Sequence, residues 1–445
     1  MATINGTFFG DRLIGTNGDD VIRGRGGNDF LDGRGGNDSL FGGTGDDTLR
    51  GGRGDDLLDG GDNRLRGDTA DYSTSRQGVT ADLSSGSAQD GLGGHDTLVR
   101  VENITGSAFN DLLVGDNGAN VLRGGAGDDT FSSSALPEST GGNDTFVGGS
   151  GNDTAIVANS GVADLMAGTI TYPSGQVVHL SGIENLVAGS QAADMTLLGD
   201  DGANTLTGGF GDVVVSGRGG DDTLFAWGVY GDATLNGGDG NDTLTVRDGN
   251  SILRGGNGDD IINPGGGNNN INGGAGTDTV SYHDFGGPVE VNLARGQASH
   301  DDSTDRISRV ENVVGSRGDD TIIGDRNDNR LDGGPGHDTL TGRGGADTFV
   351  INAPGDGPDT ITDFRHGTDH IEISRAGFGL NSLGAGPLAD ANFATGNPTT
   401  AQQVFTYDPA AGTLSFDADG NGGGAATVVA RLDVTTFSAS DIMLA

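Results

Sequence analysis

Over residues 42–61 the chain reads GGTGDDTLRGGRGDDLLDGG: paired glycines, a glycine two places on, acids, then an aliphatic residue, with the whole pattern returning every nine positions. That beat constrains the fold more than any other feature. Aligned as Gly-Gly-x-Gly-x-Asp-x-U-x, with U a large aliphatic residue or Phe, 24 copies are readable across 15–59, 106–132, 139–156, 189–281 and 315–350. Self-similarity at a fixed period marks stacked units that share one continuous core. The U position holds Ile22, Leu31, Leu40, Leu49 and Leu58 in the first block, and Leu224, Leu235, Leu244, Leu253, Ile262 and Ile271 in the long one.

Glycine makes the tight turn of each unit sterically cheap, because it takes positive φ without penalty. A tight turn aims several carbonyl oxygens inward, and the Asp adds a carboxylate. Oxygen ligands in a compact loop suit a hard cation such as Ca²⁺, which takes 6–8 of them at about 2.3–2.6 Å. The remaining x-U-x forms a short strand with one side chain inward. Turn, strand, turn, strand then winds a flattened right-handed coil of 18 residues per turn, an all-β parallel roll filled by U residues.

The sixth position carries a second message: seventeen copies have Asp, four Asn and three another residue. From 213 it reads Val213, Asp222, Ala233, Asp242, Ser251, Asp260, Asn269, Asp278. An 18-residue turn sends alternate nonapeptides to opposite edges, so this alternation predicts one fully liganded edge and one largely degraded edge.

The nonapeptide resembles the signature of the RTX family of calcium-binding proteins. That resemblance implies a calcium-bound parallel β-roll, with ions between turns held by sixth-position carboxylates and backbone carbonyls. The ligands it implies are Asp20, Asp29, Asp38, Asp47, Asp56, Asp111, Asp129, Asp144, Asp153, Asp194, Asp222, Asp242, Asp260, Asp278, Asp320, Asp338 and Asp347, with Asp359 in a last degenerate copy.

Three insertions, near 60–105, 157–188 and 282–314, separate the blocks. Tyr72, Val79 and Leu83 recur as Tyr282, Val289 and Leu293, and RVENITGS (100–107) recurs as RVENVVGS (309–316), with a weaker GIENLVAGS at 182–190. Their alternating stretches VTADL and VEVNL read as short strands. The expected segments are 1–59, 60–156, 157–281, 282–350 and 351–445. In the last, GADTFVINAPGDGPDTITDFRHGTDHIEIS (345–374) resembles the cap of secreted RTX proteases, with Asp363 expected as a strand-end or loop acid. The tail 426–445 resembles an uncleaved signal read by type I secretion machinery.

Composition agrees with a metal-stabilised chain. Only 32% of the 445 residues are apolar, against 88 Gly, no Cys and a formal charge of −40. Such a charge opposes compaction, and seventeen divalent ions would supply +34 against it. The acidity excludes nucleic acid as a partner, since phosphate binding needs a basic surface. No apolar run of about 18 residues is long enough to span a membrane, and the N-terminus lacks the basic and apolar regions of a secretory signal peptide.

No catalytic signature is found. His-Glu-x-x-His and Gly-x-Ser-x-Gly motifs are absent, there is no thiol, and repeats begin by residue 15. His95 and His337 read as loop fillers, and His283, Asp284, His300, Asp301 and Asp302 as a solvated loop. The expectation is a secreted, non-catalytic calcium roll, exported unfolded from a Gram-negative-type bacterium and folding on Ca²⁺ outside. Self-association into a surface layer, filament or matrix is the leading role. Its rivals are an adhesin or a cell-surface polysaccharide-binding protein, using the Trp227 region or the insertions, and then a polysaccharide-modifying enzyme with its site among the insertions. Phe210 and Tyr230 share the degraded edge with Trp227 close by, and read first as cover for a two-residue insertion and second as a contact patch for sugar or a partner protein.

Overall fold

A computed structural model describes all residues except 63–64, 134–141, 159, 190–193 and 228–230. The chain forms two compact units, Met1–Gly219 and Gly220–Ala445. The division falls inside the repeat block that the sequence reading keeps whole. No α-helix occurs among the described residues; nearly all regular structure is short strand.

In unit 1 the repeats stack as two parallel sheets. Strands Val21–Gly26, Ser39–Thr44 and Leu57–Asp62 pair in one, and Phe30–Gly35 and Thr48–Arg53 in the other. The register is 18 residues, Ile22 opposite Leu40 and Leu31 opposite Leu49. Each strand has one inward side chain because successive side chains alternate faces. Ile22, Leu31, Leu40, Leu49 and Leu58 are fully buried between the sheets. In unit 2, Leu224, Leu235, Leu244, Leu253, Ile262 and Ile271 do the same.

The insertions are strands, as their alternation predicts, and all three have one design. In the first, Thr80–Asp82, Ser87–Gln89 and His95–Val99 form an antiparallel meander. Its outer members pair in parallel with Leu112–Val114 and Leu57–Asp62, so the stack continues through it. Val162–Asp164, Thr169–Thr171 and Val177–Ser181 repeat this in unit 1. In unit 2 the same is done by Val289–Asn292, Gln297–His300 and Ser303–Ser308.

Beyond residue 351 an aromatic core replaces the glycine beat. Phe364 meets Phe437 at 5.4 Å with the rings tilted, and Phe416 meets Phe378 and Phe405 at 4.9 and 5.2 Å. Residues of the tail 426–445 are part of this fold: Thr427–Leu432 pairs with Asp359–Ile361, and Ile442–Leu444 with His370–Ile373.

Candidate metal sites

The sixth-position residues form ladders along each edge. Asp38 Oδ1 accepts the Asp20 backbone N–H, Asp56 Oδ1 that of Asp38, and Asp96 Oδ1 that of Asp56, at 2.7, 2.7 and 3.0 Å. On the opposite edge Asp29 serves Asp11, Asp47 serves Asp29, and Asp68 serves Asp47, each at 2.7 Å. In unit 2, Asp242, Asp260 and Asp278 continue the pattern from Asp222. One carboxylate oxygen per residue is thereby committed to the turn before it.

The other oxygen divides the sites into two kinds. In Asp29, Asp38, Asp47, Asp56, Asp129, Asp153, Asp242, Asp260, Asp278, Asp338 and Asp347, Oδ2 is buried without a hydrogen-bond partner. Buried polar atoms are ordinarily satisfied, so this row of orphan acceptors asks for a cation. Each faces the first glycine of its own nonapeptide. A Cβ added to Gly33 would lie within 3.0 Å of both Asp38 Oδ2 and the Gly51 carbonyl oxygen, and Gly24, Gly42, Gly237 and Gly255 face equivalent pairs. A carboxylate and a carbonyl oxygen converging on side-chain-free space fit calcium's taste for oxygen. Among the described residues no group of three acids and histidines converges on a point, as expected where backbone carbonyls supply much of the ligation.

In the second kind both oxygens are taken. Asp20 Oδ2 accepts the Thr16 N–H and hydroxyl at 2.6 and 2.8 Å. Ser107 does this for Asp111 and Ser316 for Asp320, each serine sharing its N–H and hydroxyl between the two carboxylate oxygens. The Asp144 Oδ2 is bonded by the Ser133 hydroxyl at 2.6 Å. Asn120, Asn204 and Asn329 are closed in the same sense. Each Oδ1 accepts the N–H four residues back, and each Nδ2 donates at 2.9 Å to the carbonyl of Glu102, Glu184 or Glu311. Asn269 donates to the Pro264 carbonyl.

For all of these but Asp144 and Asn269, which Ser133 and the Pro264 carbonyl engage instead, what separates the kinds is the second nonapeptide position. Before every open carboxylate it has positive φ and is Gly or Arg: Arg25 at 82°, Arg34 at 73° and Gly52 at 104° are examples. Before Asp20, Asp111 and Asp320 it is Thr or Ser, and before the three asparagines it is Asp116, Asp200 and Asp325. Those residues turn their N–H onto the sixth-position side chain instead.

Burial raises carboxylates of both kinds, the closed Asp111, Asp144 and Asp320 included. Burial pushes Asp38 up to about 7, helped by the charges of Asp56, Asp20 and Asp19, and Asp129 and Asp260 also to about 7. Asp20 goes the other way, held below its ordinary value by the N–H groups of Ala2 and Thr16 and the Thr16 hydroxyl.

Several expected sites need restating. Asp194 is exposed, and the buried sixth place belongs to Met195, one residue on, opposite Val213. At Asp347 the cation is partly supplied by protein: Arg365 Nη2 lies 3.6 Å from it and 3.0 Å from Asp369. Asp359 ends its ladder, accepting the Asp338 N–H at 3.1 Å, and burial lifts it to about 9. Asp363 caps the N–H groups of Gly342 and Arg343. The degraded edge is built as its spacing predicts, with Ala233, Ser251 and Asn269 buried in succession. His300 is no solvated-loop residue: it is buried against Asp305. Of the aromatics, Phe210 is half-buried in unit 1, Trp227 belongs to unit 2, and Tyr230 lies outside the described residues.

Sequence reasoning missed Asp68, Asp96, Asp305 and Asp369, which continue ladders from inside insertions or cap. It also missed Glu102, Glu184 and Glu311, whose Oε2 atoms accept the N–H of Asp68, Asp153 and Asp278 at 2.8–3.0 Å. The recurring Glu-Asn pair was the available signal.

Stacked turns whose edges set orphan carboxylate oxygens beside carbonyls define a calcium-type parallel β-roll. The chain belongs to the RTX calcium-binding nonapeptide repeat family, whose model matches residues 5–40, 32–64, 102–135, 138–156, 198–229, 227–262, 236–271, 246–280 and 313–349, together just over half of its length. No curated protein matches the chain in sequence. Among solved structures, the extracellular lipase LipA from Serratia marcescens is similar over 77% of this chain and 40% of its own, at 17% identity and a TM-score of 0.17. The chain thus spans less than half of that lipase, and a likeness so low bears no weight. No helix among the described residues is long and apolar enough to cross a membrane.

Proposed function

We propose that this protein is an extracellular structural component that calcium folds and assembles, exported unfolded and acting as a scaffold and not as a catalyst. The observation that carries the reading is the row of buried, partnerless Oδ2 atoms down the roll edges. In calcium-poor cytosol these carboxylates repel one another and hold the chain open. At tenfold excess over its Kd each ion contributes roughly 1.4 kcal/mol through mass action, and coupled sites add.

Association is supported by the outer surface. Phe8, Phe9 and Phe109 are 78%, 80% and 45% exposed on turns of unit 1, with Phe9 and Phe109 at equivalent positions of their repeats. Phe8 and Phe9 sit on one edge and Phe109 on the other, and exposed apolar side chains on both edges of a solenoid favour contact between copies. Calcium titration of chelator-stripped protein, followed by circular dichroism and light scattering together, tests both parts. Strand signal that persists in excess chelator sinks calcium-driven folding. A monomer at saturating calcium sinks assembly.

A further inference from the structure

The chain's one tryptophan stands at the wall of a cleft of about 600 Å³ in unit 2. The cleft floor is a column of outward side chains, one from each of four consecutive strands of one sheet: Phe225, Thr245, Asn263 and Ser281. Phe225 lies opposite Thr245, and Thr245 opposite Asn263, whose Nδ2 donates to the Thr245 hydroxyl at 3.0 Å. Trp227 meets Phe225 edge-on at 5.0 Å and is covered on its ring by the Arg247 guanidinium at 5.6 Å. The far wall comes from the third insertion, which contributes Asp284, Phe285 and Asp301, while Asp248 joins from the turn beside Arg247.

This wall is built stiffly. Phe285 packs on the buried ring of His300 at 4.6 Å, and Asp305 holds both His300 Nε2 and the Tyr282 hydroxyl, at 3.1 and 2.9 Å. Asp301 adopts a φ of 43°, and among the described residues it is the one with positive φ that is neither Gly nor Arg. That conformation is the one a two-residue hairpin turn needs, here between His300 and Ser303, and it fixes the Asp301 backbone at the rim of the cleft.

We propose that this cleft binds a neutral, extended oligosaccharide. Indole and phenyl rings offer the flat apolar faces against which sugar C–H surfaces pack, with a polar tip or neighbour left for hydroxyls. The carboxylates of Asp248, Asp284 and Asp301 accept hydrogen bonds from hydroxyl groups, and charge-assisted bonds of this kind are the stronger ones. Thr245, Asn263 and Ser281 add donors and acceptors at the strand spacing of about 4.8 Å, close to the rise of one sugar in an extended glycan. Three carboxylates against one arginine turn away anionic polymers, as does the net charge of −40. The inference stands on unit 2 alone and goes beyond the scaffold role, which it neither needs nor supplies.

Because Trp227 is the chain's only tryptophan, its emission reports this cleft alone. The calcium-saturated full chain is titrated with hexamers of β-1,4-glucose, α-1,4-glucose, β-1,4-mannose and β-1,4-N-acetylglucosamine, and with a hexagalacturonate as the anionic comparison. A saturable emission change with at least one neutral hexamer is expected, weakened about tenfold or more in Asp284→Asn and Asp301→Asn. Trp227→Ala, followed by calorimetry, should weaken it at least as much while calcium-induced circular dichroism stays unchanged. No saturable change with any neutral hexamer overturns the proposal. So does tighter binding of hexagalacturonate, or binding indifferent to both aspartate substitutions. None of these results bears on calcium-driven folding or assembly, which are read without sugar.

Discussion

Thr16 donates both its backbone N–H and its hydroxyl to Asp20 Oδ2, at 2.6 and 2.8 Å. One turn on, in the same ladder, Asp38 Oδ2 is buried with no donor at all. The difference is made at the second nonapeptide position, Thr16 in one case and Arg34 with a φ of 73° in the other. Removing the threonine side chain and freeing the backbone for positive φ should open the closed site. Thr16→Gly is expected to raise calcium stoichiometry by one ion per chain and to lower the unfolding midpoint in chelator. Equilibrium dialysis with metal analysis checks the count; an unchanged count refutes the assignment of open and closed sites.

Space at the first glycine should matter more than glycine content. In Gly33→Ala the added Cβ falls within 3.0 Å of Asp38 Oδ2 and the Gly51 carbonyl, whereas at Gly35 the nearest atoms are 3.7 Å away. Gly33→Ala should cost about 1–3 kcal/mol as an overpacking change and should weaken calcium binding as well. Gly35→Ala should shift stability by no more than about 0.5 kcal/mol. Calcium-dependent thermal unfolding of the two variants side by side separates them.

Protons should replace calcium in part. Burial raises Asp38, Asp129 and Asp260 to about 7, and Asp47 and Asp56 to about 6, from an unfolded value near 3.8. The folded calcium-free chain therefore binds more protons than the unfolded chain between those values. Their contribution is fully present below about pH 4 and is lost as pH rises through 6 to 7. In chelator, strand signal by circular dichroism should grow on acidification from pH 8 to 5. A signal that falls over that interval would contradict the assigned burial of these carboxylates.

Asp441 should act as a latch on the C-terminal strand. It is buried and accepts from His366 Nδ1 at 2.7 Å and from the N–H groups of Gly367 and Ser438 at 3.0 and 2.7 Å. Asp441→Ala leaves those donors unsatisfied, at a cost of about 1–3 kcal/mol. Amide exchange should quicken first in Ile442–Leu444, ahead of the repeats; protection unchanged in that strand would refute the latch.

Much of the roll was legible because its physics is local. A nine-residue beat with U at the eighth place dictates strand length, inward side chain and an 18-residue register, since two short strands and two glycine turns close one coil. The burial of Ile22, Leu31 and Leu40, and the alternation from Val213 to Asp278, follow from that period alone. For most sites even the division into open and closed is written at the second position, as Gly or Arg against Thr, Ser or Asp, with Asp144 and Asn269 the exceptions. It goes unread until the hydrogen bonds show what the position does.

Other features depend on contacts between residues far apart in sequence, which no periodicity encodes. Met195 displaced Asp194 from the ladder because strand pairing with Val213 sets the register after an insertion. Asp96, Asp305 and Glu102 joined ladders because the meanders return to the stack at the height of the interrupted turn. His300 was buried by Asp305 and Tyr282, and the third insertion was brought beside Trp227 across dozens of residues. The sequence by itself determined the repeating coil, because each unit's turn and strand are set by its own nine residues. Only the tertiary structure decided which carboxylates keep a free oxygen and which side chains wall the cleft, because both depend on where the irregular segments rejoin the stack.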